Sequence, residues 1–96
     1  MKVEYHPLTA SDLNEAAEHY NKQRQDLGKE FRAEVYAAIK RICNNPYLSA
    51  EVLGFRRALL KRFPYSVVYR IIDDQTLRIL LIRHHRRHSE YGSERQ

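Results

Sequence analysis

The sequence predicts an α+β fold in the order β-α-α-β-β-β, with a helix hairpin packed on one face of a mostly antiparallel sheet. Three observations carry this expectation. Apolar residues recur at helical spacing in two stretches before Asn44-Asn45-Pro46, three β-rich runs follow that break, and one short alternating segment opens the chain. At 96 residues the chain has room for one modest core, so residues 1–96 read as one domain.

Taken in order, Val3 and Tyr5 alternate with Lys2, Glu4 and His6, which predicts a first strand stopped by Pro7. Thr9, Ser11 and Asp12 offer N-cap oxygens for a helix whose apolar stripe is Leu13, Ala16, Ala17, Tyr20 and Leu27, with Glu15, Glu18 and Lys22 left in water. That helix is expected to end near Leu27-Gly28. Phe31, Val35, Ala38, Ile39 and Ile42 form a second stripe, halted at Asn44-Asn45-Pro46 because proline disfavours continuation. Residues 47–54 read as a loop. Strands are expected over 55–61, 65–72 and 76–83, the last two joined through Asp73-Asp74-Gln75.

Strict alternation assigns the faces of the sheet. Leu77, Ile79 and Leu81, with Tyr65, Val67, Tyr69 and Ile71, are expected to face the helices. Ser66, Val68, Arg70, Ile72, Arg78, Leu80, Ile82 and His84 then share the outer face. A solvated face would not keep that many aliphatic side chains in water, so either the chain's own tail or a partner covers them, the partner being the favoured reading. Residues 92–96 are polar and lack an apolar anchor, which predicts disorder until a partner binds.

Charge narrows the classes. Residues 1–53 carry 7 basic and 8 acidic side chains and residues 54–96 carry 10 and 4, so the net +5 belongs to the second half. Such a bias suits a nucleic acid or an acidic protein, or simply a solvated surface. No run approaches the ~20 apolar residues that span a bilayer, and the start MKVEYHPL has no hydrophobic signal core, so no membrane association and a cytoplasmic location are expected. Cys43 is the single cysteine and ends an apolar stripe, which favours a buried structural thiol. His84, His85 and His88 with Glu90 and Glu94 make an unspecific metal set, so neither metal nor cofactor is expected. No G-x-S-x-G elbow is present. Both helices lie in the near-neutral half, which argues against a recognition helix and a plain nucleic-acid-binding module. Tyr36 and Tyr47 read as packing residues.

One resemblance joins these pieces. The pair Arg56-Arg57, the run Arg62-Phe63-Pro64-Tyr65, Val68-Tyr69 with Ile71, and the ending Ile82-Arg83-His84 with Arg87 and Tyr91 resemble the RelE/ParE toxins of bacterial toxin–antitoxin modules. Asp12-Leu13, Tyr20, Leu27-Gly28 with Phe31, and Asn45-Pro46 sit where that family has its helix-hairpin landmarks. The resemblance implies a small growth inhibitor of a plasmid-stabilization type, held inactive by a co-expressed acidic antitoxin that wraps it and folds on binding. Val68, Arg70, Ile72, Arg78, Leu80 and Ile82 would be the antitoxin contacts.

Two activities are implied by the family. One branch cuts messenger RNA on the ribosome without a metal, and here it would use His84, Arg87 and Tyr91 for proton transfer and charge stabilisation, with Arg57, Arg62 and Arg83 gripping phosphate. The other branch, the ParE type, poisons DNA gyrase and is not a hydrolase. Where RNA-cutting members carry an arginine near the start of the penultimate strand this chain has Ser66, and no Lys or Arg occurs between Arg41 and Arg56. The reading therefore leans to the ParE side, with the nuclease, an inactive antitoxin-binding relative or a basic nucleic-acid binder as alternatives.

Overall fold

The computed structural model describes residues 1–87 and 91–96. The elements are β1 (Lys2–Tyr5), α1 (Thr9–Gln23), α2 (Leu27–Asn44), β2 (Arg56–Leu59), β3 (Tyr65–Asp73) and β4 (Thr76–His84). They form a four-stranded sheet of order β1-β4-β3-β2. β1 runs parallel to β4, and the other two pairings are antiparallel. The α1–α2 hairpin covers one face, as its two apolar stripes require.

The break between the helices falls earlier than the stripe suggests. Asp26 takes a left-handed conformation at φ 65° and Leu27-Gly28 opens α2 instead of closing α1. Aspartate is among the few residues that tolerate this geometry. The Gly28 amide donates to Asn21 Oδ1 at 2.8 Å, which ties the start of α2 back to α1.

The core lies between hairpin and sheet. Tyr20, Phe31, Phe63 and Tyr65 form an aromatic cluster with centroid spacings of 4.8 to 6.1 Å, mostly edge to face. Val35, Ala38 and Ile42 from α2 meet Val67, Tyr69, Leu77 and Ile79 from the sheet. Burying each of the larger side chains contributes about 1.5–3 kcal/mol. Glu34 on α2 accepts the Lys61 and Arg62 amides at 2.5 and 2.9 Å, so the turn between β2 and β3 is held by the helix beneath it.

β4 does not keep strict alternation. Val68 pairs with Leu81 but Tyr69 pairs with Ile79, leaving Leu80 as an extra residue in a β-bulge. The assignment of faces changes at that point. Leu77, Ile79 and Ile82 pack on the helix side, whereas Leu80 and Leu81 join Val68 and Phe55 in a second, smaller cluster on the outer side. The expected positions of Leu81 and Ile82 are thus exchanged. His84 follows Ile82 to the helix side, its ring edge-on to Tyr65 at 4.9 Å.

The bulge lies just past the end of β1, where β4 would otherwise present unpaired backbone groups. The His6 amide donates to the Ile79 carbonyl at 2.8 Å, and the Thr9 hydroxyl donates to the Leu80 carbonyl at 2.8 Å. The Ile82 amide donates to Asp12 Oδ2 at 3.2 Å. Thr9 and Asp12, anticipated as helix caps, instead fasten α1 to the edge of the sheet, and the residue preceding α1, Leu8, makes no side-chain cap bond.

The outer cluster is covered by the chain itself. Gly92 packs so closely on Leu81 that an added Cβ would lie 2.5 Å from Leu81 Cδ1. Arg95 is buried, pairs with Asp12 at 2.5 Å and donates to the Leu80 carbonyl at 3.0 Å. Residues 92–96 are therefore ordered against the sheet, in place of the disorder expected from their polarity, because a cation among them finds a buried carboxylate.

Candidate functional site

Two concavities flank the end of β4. The first is a cleft of about 330 Å³ on the helix side, where Asp12, Glu15 and His19 from α1 face His84, Arg87 and Tyr91. Asp12, Glu15 and His19 meet there because their spacing puts them on one face of α1. His84 Nδ1 accepts the Arg86 amide at 2.9 Å. Its imidazole is held below the usual histidine range, first by burial and then by the positive charges of Arg86, His85, Arg87 and His19. Arg87 lays its guanidinium over the Tyr91 ring, 4.8 Å from the centroid.

The second concavity is a groove of about 540 Å³ on the outer face. Its floor is Phe55, Val68 and Leu81, and Arg56, Arg57 and Arg83 border it. Arg83 is held below the usual arginine range by burial and by the neighbouring Arg57 charge. Arg56 donates to the Ser49 carbonyl at 2.5 Å and stacks over Tyr47 at 5.2 Å, so Tyr47 is an exposed platform for a guanidinium, not a packing residue.

The structure therefore brings His84, Arg87 and Tyr91 together in the cleft, whereas none of the three anticipated phosphate-binding arginines lines it; Tyr91 also borders the outer groove. Arg57 and Arg83 belong to the outer groove. Arg62 points to the hairpin instead, where it pairs with Glu30 at 2.9 Å and lies over the Phe63 ring. Together with Arg24, it holds the Glu30 carboxyl below the usual range, chiefly through their hydrogen bonds to it. His85 Nε2 lies 3.1 Å from Ser66 Oγ. His88 and Glu90, two of the residues weighed as metal ligands, lie outside the described residues; among the described residues no group of three or more ligand-type side chains is placed to hold a metal.

The anticipated antitoxin contacts also divide. Ile82 is in the main core and is a correction. Leu80 and Val68 are on the outer side but buried, Leu80 completely. Arg78 pairs with Glu4 at 2.8 Å and also donates to the main-chain oxygen of Gln96, while Arg70 reaches the Gln96 side-chain oxygen at 3.5 Å. Ile72 is the one aliphatic of the set that stays exposed. His19 is a site residue that sequence reasoning missed, although its spacing from Asp12 and Glu15 on one helix carries the signal. Cys43 is half-buried against the main core.

Among the described residues no helix is long and apolar enough to cross a membrane. The solved structure of a chromosomal ParDE toxin–antitoxin system from P. aeruginosa has a chain that superposes with a TM-score of 0.74 at 22% identity, over 88% of this chain and 95% of that one. At that identity the likeness speaks for the fold. No curated protein matches the chain significantly. The family model for the ParE toxin of the type II toxin–antitoxin system parDE matches residues 3–89, nearly the whole of the two-helix, four-stranded unit described above, and the chain belongs to that toxin family.

Proposed function

We propose that this protein is the growth-inhibiting toxin of a plasmid-stabilization type module, kept inactive in the cytoplasm by an acidic antitoxin, and that its target is DNA gyrase. The observation that carries the choice of target is the dispersal of the cations a ribonuclease would need. Arg57 and Arg83 line the outer groove and Arg62 pairs with Glu30 on the hairpin, so none of the three lines the cleft that holds His84 and Arg87; Tyr91 borders both concavities, and the cleft also carries the Glu15 carboxylate. A carboxylate facing a phosphate is repulsive, and general acid–base chemistry on RNA needs its cations beside the scissile group. For the antitoxin, the exposed Ile72 and the arginines at 70, 78, 57 and 83 offer contact area and charge complementary to an acidic chain.

A second reading has one observation in its favour. His84 is biased to its neutral form and has Arg87 and Tyr91 beside it, which suits a general base with a cation and a hydroxyl at hand. Purified, antitoxin-free protein added to a coupled cell-free translation reaction separates the two. The gyrase reading expects intact message together with gyrase-dependent linearisation of supercoiled plasmid. Ribosome-dependent cuts in phase with codons, with plasmid untouched, would replace it with the nuclease.

A further inference from the structure

We propose that residues 91–96 form a displaceable strap, and that its release uncovers a latent apolar and cationic surface made of Val68, Leu80, Leu81, Arg70 and Arg78. In the closed state the occupant of that surface is the chain's own segment. Each part of the surface is engaged by a different residue of the strap. Gly92 lies on Leu81, Arg95 bonds the Leu80 carbonyl, and Gln96 presents two oxygens to the opposed pair Arg70 and Arg78. The Gln96 oxygens stand where the carboxylate of an acidic partner would be received.

The strap is fastened mainly through polar contacts. Its anchor is the Asp12–Arg95 pair, both side chains nine-tenths or more buried, and no side chain of the strap belongs to either hydrophobic cluster. The anchor is also imperfect, since Arg95 Nε is buried with no hydrogen-bond partner among the described residues. Opening breaks these polar contacts and exposes Leu80 and Leu81, and both losses are made good by a competitor that supplies acidic groups to the arginines and aliphatic groups to the leucines. Ile79 and Val67 are in a separate core on the far side of the sheet, so the strap can open without unfolding the rest.

The test uses the full-length chain. Native-state hydrogen exchange on the wild type should show the Arg95 amide, which donates to the Gly92 carbonyl at 2.9 Å, exchanging at least ~100-fold faster than the Tyr69 amide in the sheet, as a local opening does. Anilinonaphthalene sulfonate, an apolar anion, is the probe of the uncovered surface. Arg95→Ala should retain its circular dichroism and raise saturable dye binding about 10-fold at one dye per chain, and adding Arg70→Ser and Arg78→Ser should abolish the gain. Asp12→Ser/Arg95→Ala, which leaves no buried unpaired charge, serves if the single variant does not fold. Equal protection of Arg95 and Tyr69, unchanged dye binding in a folded variant, or global unfolding of both variants would each overturn the strap. None of these outcomes depends on whether the toxin acts on gyrase or on message.

Discussion

Gly28 and Ala17 bring the two helices together backbone to backbone: a Cβ on Gly28 would lie 2.3 Å from the Ala17 carbonyl oxygen and 2.7 Å from Asn21 Oδ1. The oxygen is part of a helix and cannot retreat. Gly28→Ala should therefore destabilise the fold by about 1–3 kcal/mol, the usual range for overpacking. Chemical denaturation should show the loss as a lower midpoint at unchanged slope.

Tyr69 is almost fully buried, and its hydroxyl donates to the Pro46 carbonyl at 2.7 Å, which fastens β3 to the loop that leaves α2. Burial raises the phenol above its ordinary range, so the hydroxyl stays protonated as a donor. Tyr69→Phe should cost about 1 kcal/mol, and a thermal melt should fall by roughly 4–8 °C for a domain of this size.

Phe31 is fully buried and touches Tyr20, Phe63 and Tyr65. It connects both helices to the sheet. Phe31→Ala should cost about 3–5 kcal/mol, enough to leave a marginal domain largely unfolded near 37 °C, and near-ultraviolet circular dichroism would report the lost aromatic packing.

The His84 imidazole is held below the ordinary histidine range, first by burial and then by four neighbouring cations. Between its folded value and the unfolded value near 6.5, the unfolded chain binds the proton that the folded chain refuses. Stability should therefore fall as pH is lowered through about 6.5 and level off below the folded value. His84→Gln should flatten that part of a pH–stability curve; an unchanged slope would assign it to other groups.

For the proposed gyrase target, His84→Ala, Arg87→Ala and Tyr91→Phe should leave growth arrest and the DNA-damage response intact when the chain is expressed without an antitoxin. Loss of arrest in folded His84→Ala and Arg87→Ala variants would move the chemistry into the α1–β4 cleft.

Much of the architecture was legible because periodicity is a local property. The stripe from Phe31 to Ile42 predicts α2, and the alternating runs around Tyr69 and Ile79 predict β3 and β4, at nearly their observed extents. The exchange of Leu81 and Ile82 was not legible, since the bulge at Leu80 is stabilised by Thr9 and Asp12, some 70 residues away, and by Arg95. The same limit governs the site. His84, Arg87 and Tyr91 are near in sequence and also near in space. Arg62 was misplaced because its partner Glu30 belongs to another element, and His19 was missed because its neighbours in the cleft come from the opposite end of the chain.

The parallel pairing of β1 with β4 has a consequence for the chain as it is made. Lys2 to Tyr5 find their partners only at Thr76 to Ile79, so the first strand synthesised waits for the last. At ribosomal speeds of ~5–20 residues per second, that wait is on the order of seconds. During it the α1–α2 hairpin can form from local contacts, but the sheet cannot close. A nascent copy therefore lacks the closed sheet until translation is nearly done, and the interval is time in which an antitoxin made nearby can be ready before the fold that it binds exists.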